Sequence, residues 1–175
     1  MTTVQITENP MRKMRIEKVV VNIGVGKSGE PLQRASMVLE ELFGQKPSVR
    51  KVRKTIRDFG VRKGEPIGVV VTLRGERAVE ALKKLLQAKG NTLPASSFDE
   101  NGSVSFGIKE HIDIPGVKYK PELGIFGMNV SVFITRPGYR VMYRRRAPSK
   151  VGHKHRVKRE EAIEFMRSNF GVEVV

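Results

Sequence analysis

Gln45-Lys-Pro-Ser-Val-Arg-Lys-Val-Arg-Lys54, Thr55-Ile-Arg-Asp-Phe-Gly-Val-Arg-Lys-Gly-Glu65 and Pro66-Ile-Gly-Val-Val-Val-Thr-Leu-Arg-Gly75 form one continuous stretch that settles how this chain folds. Val49 to Arg53 and Ile67 to Arg74 are rich in β-branched residues and read as strands. Lys54 to Glu65 lies between them as a long loop, so the stretch predicts a hairpin. A connection of that length is unusual, and such loops tend to carry function. The stretch holds nine Lys or Arg against two acids. Within the loop Lys54, Arg57, Arg62 and Lys63 surround Phe59 and Gly60. Cations about one aromatic and a permissive glycine suit a phosphate backbone with a base or sugar nearby.

Upstream, residues 1–15 are polar with a turn signal at Asn9-Pro10 and read as an arm. Ile16 to Ile23 is the first strand, with Val19, Val21 and Ile23 on one face and Lys18, Val20 and Asn22 on the other. Gly24 to Gly29 is a loop. Pro31 opens a helix that ends before Gly44, with Leu32, Ala35, Val38, Leu39, Leu42 and Phe43 as its core stripe. Downstream, Glu76 to Lys89 is a second helix burying Val79, Leu82, Leu85 and Leu86. Asn91 to Gly102 is a polar loop. Ser103 to Ile114 alternates as a strand, with Val104, Phe106, Ile108 and Ile112 opposite Ser105, Gly107, Lys109 and His111. Pro115 to Gly127 is a loop, Met128 to Arg136 a last strand, and Arg159 to Phe170 a final helix. Each long strand has one aliphatic face and one of small polar or basic side chains. That pattern predicts an α+β fold: an antiparallel sheet with helices packed on one face, an open polar face and a long basic hairpin loop.

The 175 residues suffice for one good core and read as a single domain, 1–175. The net charge is +15, and its placement says more than its size. Residues 136–159 hold ten Lys or Arg and no acid. With the hairpin stretch they carry the whole excess, leaving a nearly neutral body. Two such segments are the electrostatic footprint of a polyanion binder. Three consecutive cations, Arg144, Arg145 and Arg146, cannot all face one surface of a helix or strand, so the segment reads as a flexible phosphate-neutralising arm. The absence of cysteine excludes disulfides, thiol catalysis and Cys-based zinc sites. No apolar run is long enough to span a bilayer, and Met1 to Arg15 lacks the apolar core of a signal peptide. A cytoplasmic protein with no membrane partner is expected.

Gly24-Val-Gly-Lys-Ser-Gly29 follows a strand and precedes a helix, as the dinucleotide fingerprint requires. The next strand is basic, however, with no acid for a ribose, and the strand–helix rhythm does not repeat. A strand-to-helix turn is the better reading. A P-loop fails because its first glycine falls on Val21. His153-Lys154-His155 has no cysteine or acid beside it and suits phosphate or water better than a metal. No triad or paired-carboxylate arrangement is present. The chain reads as a non-enzyme without cofactors.

Asn9-Pro-Met-Arg12, Ile16-Glu-Lys-Val-Val-Val-Asn-Ile-Gly-Val-Gly26, Gly44-Gln-Lys-Pro47, Pro66-Ile-Gly68 and Val71-Thr-Leu-Arg-Gly75 together resemble the large-subunit ribosomal protein five family. Ser97-Phe-Asp99, Phe106-Gly-Ile-Lys-Glu110 and Gly127-Met128 extend the likeness from Asn9 to the C-terminus. Arg136-Pro-Gly138 and Gly152-His-Lys-His-Arg156 resemble the archaeal and eukaryotic branch, whose eukaryotic member is called protein eleven. The N-terminal helical extension typical of bacterial members is missing, so the resemblance is archaeal in type. It implies an RNA-binding constituent of the large ribosomal subunit that meets 5S ribosomal RNA in the central protuberance through the open sheet face. By resemblance those contacts fall on Asn22, Gln45, Phe59 and Thr72, with Arg74 adjacent. The 54–65 loop, with Lys54, Arg57, Arg62 and Lys63, is implied to reach peptidyl-site tRNA. Arg144, Arg145, Arg146, Lys154 and Arg156 are expected to meet ribosomal RNA. Large-subunit ribosomal RNA, neighbouring proteins of the central protuberance and a small-subunit head protein across an inter-subunit bridge complete the implied partners.

Overall fold

The computed structural model describes residues 9–175, so residues 1–8 of the expected arm lie outside the described residues. Asn9 caps a single 3-10 turn, Pro10–Arg12, its side-chain carbonyl accepting the Met11 N–H at 3.0 Å. The elements that follow are β1 (Arg15–Gly24), α1 (Glu30–Phe43), β2 (Ser48–Lys51), β3 (Pro66–Leu73), α2 (Glu76–Ala88) and β4 (Thr92–Leu93). Then come β5 (Val104–Ile108), β6 (Met128–Thr135), α3 (Arg140–Tyr143), α4 (Arg159–Phe170) and β7 (Glu173–Val174).

Five strands form one antiparallel sheet in the order β2-β3-β1-β6-β5. Antiparallel partners share a face, so the register decides what each face carries. Val21 lies between Val71 and Val130, and Val19 between Leu73 and Val132. Phe106 extends the first row and Val104 the second. These side chains are all buried, and α1 and α2 cover them with Leu32, Ala35 and Leu39, and with Ala78, Leu82, Leu85 and Leu86. Each buried Val or Leu contributes about 1.5–3 kcal/mol, which is why both helices lie on the aliphatic face. The α+β architecture expected from strand alternation is the observed one.

Several boundaries differ from expectation. β2 begins at Ser48 and leaves the ladder after Lys51. Ala78 and Ala81 line the buried stripe of α2, and Val79 is only half-buried. The strand expected over Ser103–Ile114 stops at Ile108. His111 is drawn out of register by Phe126, whose carbonyl accepts the His111 N–H at 3.0 Å and whose N–H donates to His111 Nδ1 at 3.3 Å. His111 is therefore buried, not on the polar face where alternation placed it. Burial lowers its pKa, and an Nδ1 that accepts a backbone N–H fits the neutral ring.

The loop Asn91 to Gly102 also holds more than expected. Leu93 and Phe98 are core residues, and β4 pairs in parallel with β7, Thr92 opposite Glu173. Two-residue strands are too short to show a period. Among the described residues no helix is long and apolar enough to cross a membrane.

Candidate nucleic-acid interface

The sheet face away from α1 and α2 is built in rows by the same register. Ser48, Val70, Asn22, Asn129 and Gly107 form one row. Thr72, Val20, Ser131 and Ser105 form the next, where the Ser105 hydroxyl donates to Ser131 Oγ at 3.2 Å. Lys18 and Phe133 are paired beyond them, and Arg74 follows the end of β3 on that side. Arg50, opposite Gly68, supplies a cation at the other end. Side chains of this size leave a shallow surface of hydrogen-bonding groups edged by positive charge. It fits the shape and the phosphate and 2′-hydroxyl chemistry of folded RNA.

Three of the five expected ribosomal RNA residues, Asn22, Thr72 and Arg74, lie on this face, and a fourth, Gln45, is tied to it through the Thr72 backbone. Asn22 and Thr72 share the open face on adjacent strands. Gln45, just beyond the C-cap of α1, donates through Nε2 to the Thr72 carbonyl at 3.3 Å. Arg74 donates through Nη1 to Glu17 Oε1 at 3.1 Å. Phe59 stands apart. It is 77% exposed at the turn of the hairpin and lines a groove with Val52, Ile56 and Val61.

The segment from Lys54 to Glu65 is a continuation of the hairpin, not an open loop. Val52 N–H donates to the Glu65 carbonyl and Gly64 N–H to the Val52 carbonyl. Further out, Ile56 and Val61 form an isolated bridge whose two N–H···O bonds close a tight turn over Arg57 to Gly60. Gly60 has φ +65°, a left-handed value that a side chain would strain. The Glu65 carboxylate accepts the Arg62 N–H at 3.1 Å and the Ser28 hydroxyl at 3.0 Å, and these bonds hold its pKa down. Lys54, Arg57, Arg62 and Lys63 are all exposed on this arm.

The basic segment 136–159 departs from the expected flexible arm. Arg136 is buried, donating to the Arg12 and Arg156 carbonyls and, at 2.8 Å, to Glu161. The Val157 N–H donates to the Tyr139 hydroxyl at 2.9 Å, and His155 Nε2 lies 2.7 Å from the Pro137 carbonyl oxygen. Arg156 Nε donates to the Val151 carbonyl, so this expected RNA contact is partly committed to the fold. These bonds close the segment at its base and leave Arg144, Arg145, Arg146 and Lys154 exposed. The anchors were invisible in sequence because charge density masks the apolar Tyr139, Val151 and Val157 between the cations.

In the Gly24 to Gly29 turn the Val25 and Gly26 N–H groups both donate to the Ile67 carbonyl, so these two amides serve the packing of the turn against β3. Sequence reasoning also missed Glu17, Phe133, Tyr139, Arg140 and Tyr143. Together with Arg15, Lys18, Arg74 and Gly138 they line a pocket of about 500 Å³ at the β1–β6–α3 end of the open face.

The pattern described as Ribosomal protein L5 matches residues 9–62, and the pattern describing the C-terminus of the same ribosomal family matches residues 66–165. Three relatives named Large ribosomal subunit protein uL5 match nearly end to end. The Sulfurisphaera tokodaii protein is 58% identical over 97% of this chain and 96% of its own. The Nitrosopumilus maritimus protein is 54% identical over 97% and 98%. The Pyrobaculum aerophilum protein is 56% identical over 98% and 96%.

Proposed function

The chain belongs to the ribosomal protein L5 family, structural and non-enzymatic proteins of the large ribosomal subunit, and from that premise we propose that its open sheet face binds 5S ribosomal RNA in the central protuberance. The observation that carries the proposal is the placement of Asn22, Thr72 and Arg74 on one uncovered face, with Gln45 bonded to the Thr72 backbone. These residues come from three separate parts of the chain, and none belongs to the aliphatic face. Phosphate contacts from Arg50 and Lys18 position the RNA, and the side-chain amides and hydroxyls between them read its shape.

The remaining contacts are those implied by the family resemblance, and exposed cations are available for them. The hairpin arm carries Lys54, Arg57, Arg62 and Lys63 away from the sheet and reaches peptidyl-site tRNA. Phe59, expected at the ribosomal RNA contact, stands exposed at the turn of this arm, and the protein also takes part in the inter-subunit bridge to a small-subunit head protein. Arg144, Arg145, Arg146 and Lys154 neutralise phosphates of large-subunit ribosomal RNA beside neighbouring proteins of the protuberance.

The test is the double variant Asn22→Ala with Thr72→Ala. Both side chains lie outside the core, so the thermal midpoint should hold. Affinity for 5S ribosomal RNA should fall by about 1 kcal/mol or more for each hydrogen bond lost. Unchanged affinity would remove this face as the site.

A further inference from the structure

We propose that the pocket between β1, β6 and α3 takes an unpaired guanine of the bound RNA, with Glu17 reading its Watson–Crick edge; this rests on the open face being an RNA surface. The starting observation is an irregularity. Along β1 the pairing with β6 slips between Ile16 and Lys18. Strict alternation would send Glu17 to the helix side when Lys18 faces out. The bulge lets consecutive side chains share a face, and Glu17 and Lys18 both line the pocket.

A carboxylate in the middle of a cationic RNA surface is unfavourable for phosphate. It is favourable for a group that offers hydrogen-bond donors. Arg74 holds Glu17 Oε1 at 3.1 Å and Arg15 holds Oε2 at 3.4 Å. One partner on each oxygen fixes the carboxylate and leaves acceptor positions on both. Guanine presents two adjacent donors, N1–H and the N2 amino group. Adenine, cytosine and uracil each set an acceptor beside their donor, so only guanine meets both oxygens with donors.

The walls suit a base. Phe133 lies edge-on to Tyr139 and Tyr143, with ring centroids 6.4 and 6.5 Å apart. The Lys18 ammonium sits 5.5 Å from the Phe133 centroid. Tyr143 is 53% exposed, which leaves ring surface for stacking. Splayed-out bases stacked on aromatics are the usual form of sequence-specific RNA recognition. Arg140, exposed in the lining, is available for a flanking phosphate.

The probes are two labelled uridine hexamers, one with a single central guanosine and one with adenosine there. Binding to the full chain is read by fluorescence anisotropy at one fixed salt concentration. The guanosine hexamer should bind about tenfold tighter or more, the usual scale of a bidentate base contact. Glu17→Gln keeps the shape but turns one acceptor into a donor, and should bring the two hexamers to nearly equal affinity. Tyr143→Leu should weaken both together. Equal affinity in the parent, or selectivity that survives Glu17→Gln, overturns the pocket. Retention of 5S ribosomal RNA is measured alongside. A chain that holds it without discriminating hexamers loses only the pocket. A chain that discriminates hexamers but does not hold it keeps the pocket and loses the 5S assignment.

Discussion

Arg136 shows how a single side chain can tie a cation-rich segment to three other parts of the fold. Its guanidinium bridges the 3-10 turn before β1, the backbone at Arg156 and the first turn of α4. Arg136→Met leaves those carbonyls without their donor. It should lower stability by about 2 kcal/mol in denaturant unfolding, less than a fully buried pair because Glu161 is partly exposed. Burial alone would raise the Glu161 pKa. The Lys158 N–H and Arg136 outweigh it and set the folded value below the usual carboxylate range. A lowered folded pKa stabilises above the unfolded value and loses that contribution as pH falls through the folded one. The parent should therefore lose stability on acidification in that window, and Glu161→Gln should be flatter there. Equal acid limbs for the two proteins would contradict the assignment.

Among the elements, the hairpin arm and the basic segment should separate by experiment. The arm is joined to the sheet through Val52 and Glu65 by backbone bonds, so changing its charges should leave the sheet face intact. Arg57, Arg62 and Lys63 changed to Gln should leave 5S ribosomal RNA binding nearly unaltered. The same change should weaken tRNA retention in the peptidyl site of assembled ribosomes, most at low salt, where screening is weakest. Equal tRNA retention would leave these charges without that partner. Arg144, Arg145 and Arg146 changed to Gln should instead lower affinity for many RNAs alike and reduce the salt-dependence slope by about 2. A loss selective for one RNA at unchanged slope would contradict phosphate neutralisation. The elements themselves were largely legible in sequence, because one buried face imposes a period. Val19, Val21 and Ile23 announced β1, and Leu82, Leu85 and Leu86 announced α2. What failed were features set by distant partners. His111 turns inward because of Phe126, β4 exists because β7 returns to it, and Glu17 faces out because β6 tolerates a bulge.

Across the whole molecule, the two sides of the sheet divide the work. One side gathers the aliphatic face under α1 and α2 and supplies the stability. The other keeps small polar side chains between cations, with the hairpin arm and the closed basic segment supplying further positive charge. The charge excess of two segments over a neutral body was readable at once, but most residues that shape the open face lie outside both. Ultraviolet cross-linking of the full chain to 5S ribosomal RNA, mapped by mass spectrometry, asks directly which side meets the RNA. Cross-links should fall on the open face and its rim, at Lys18, Phe133 and Tyr143, and should be absent from Arg77, Lys83 and Lys84 on α2. Cross-links concentrated on α2, with the open face unmodified, would contradict it.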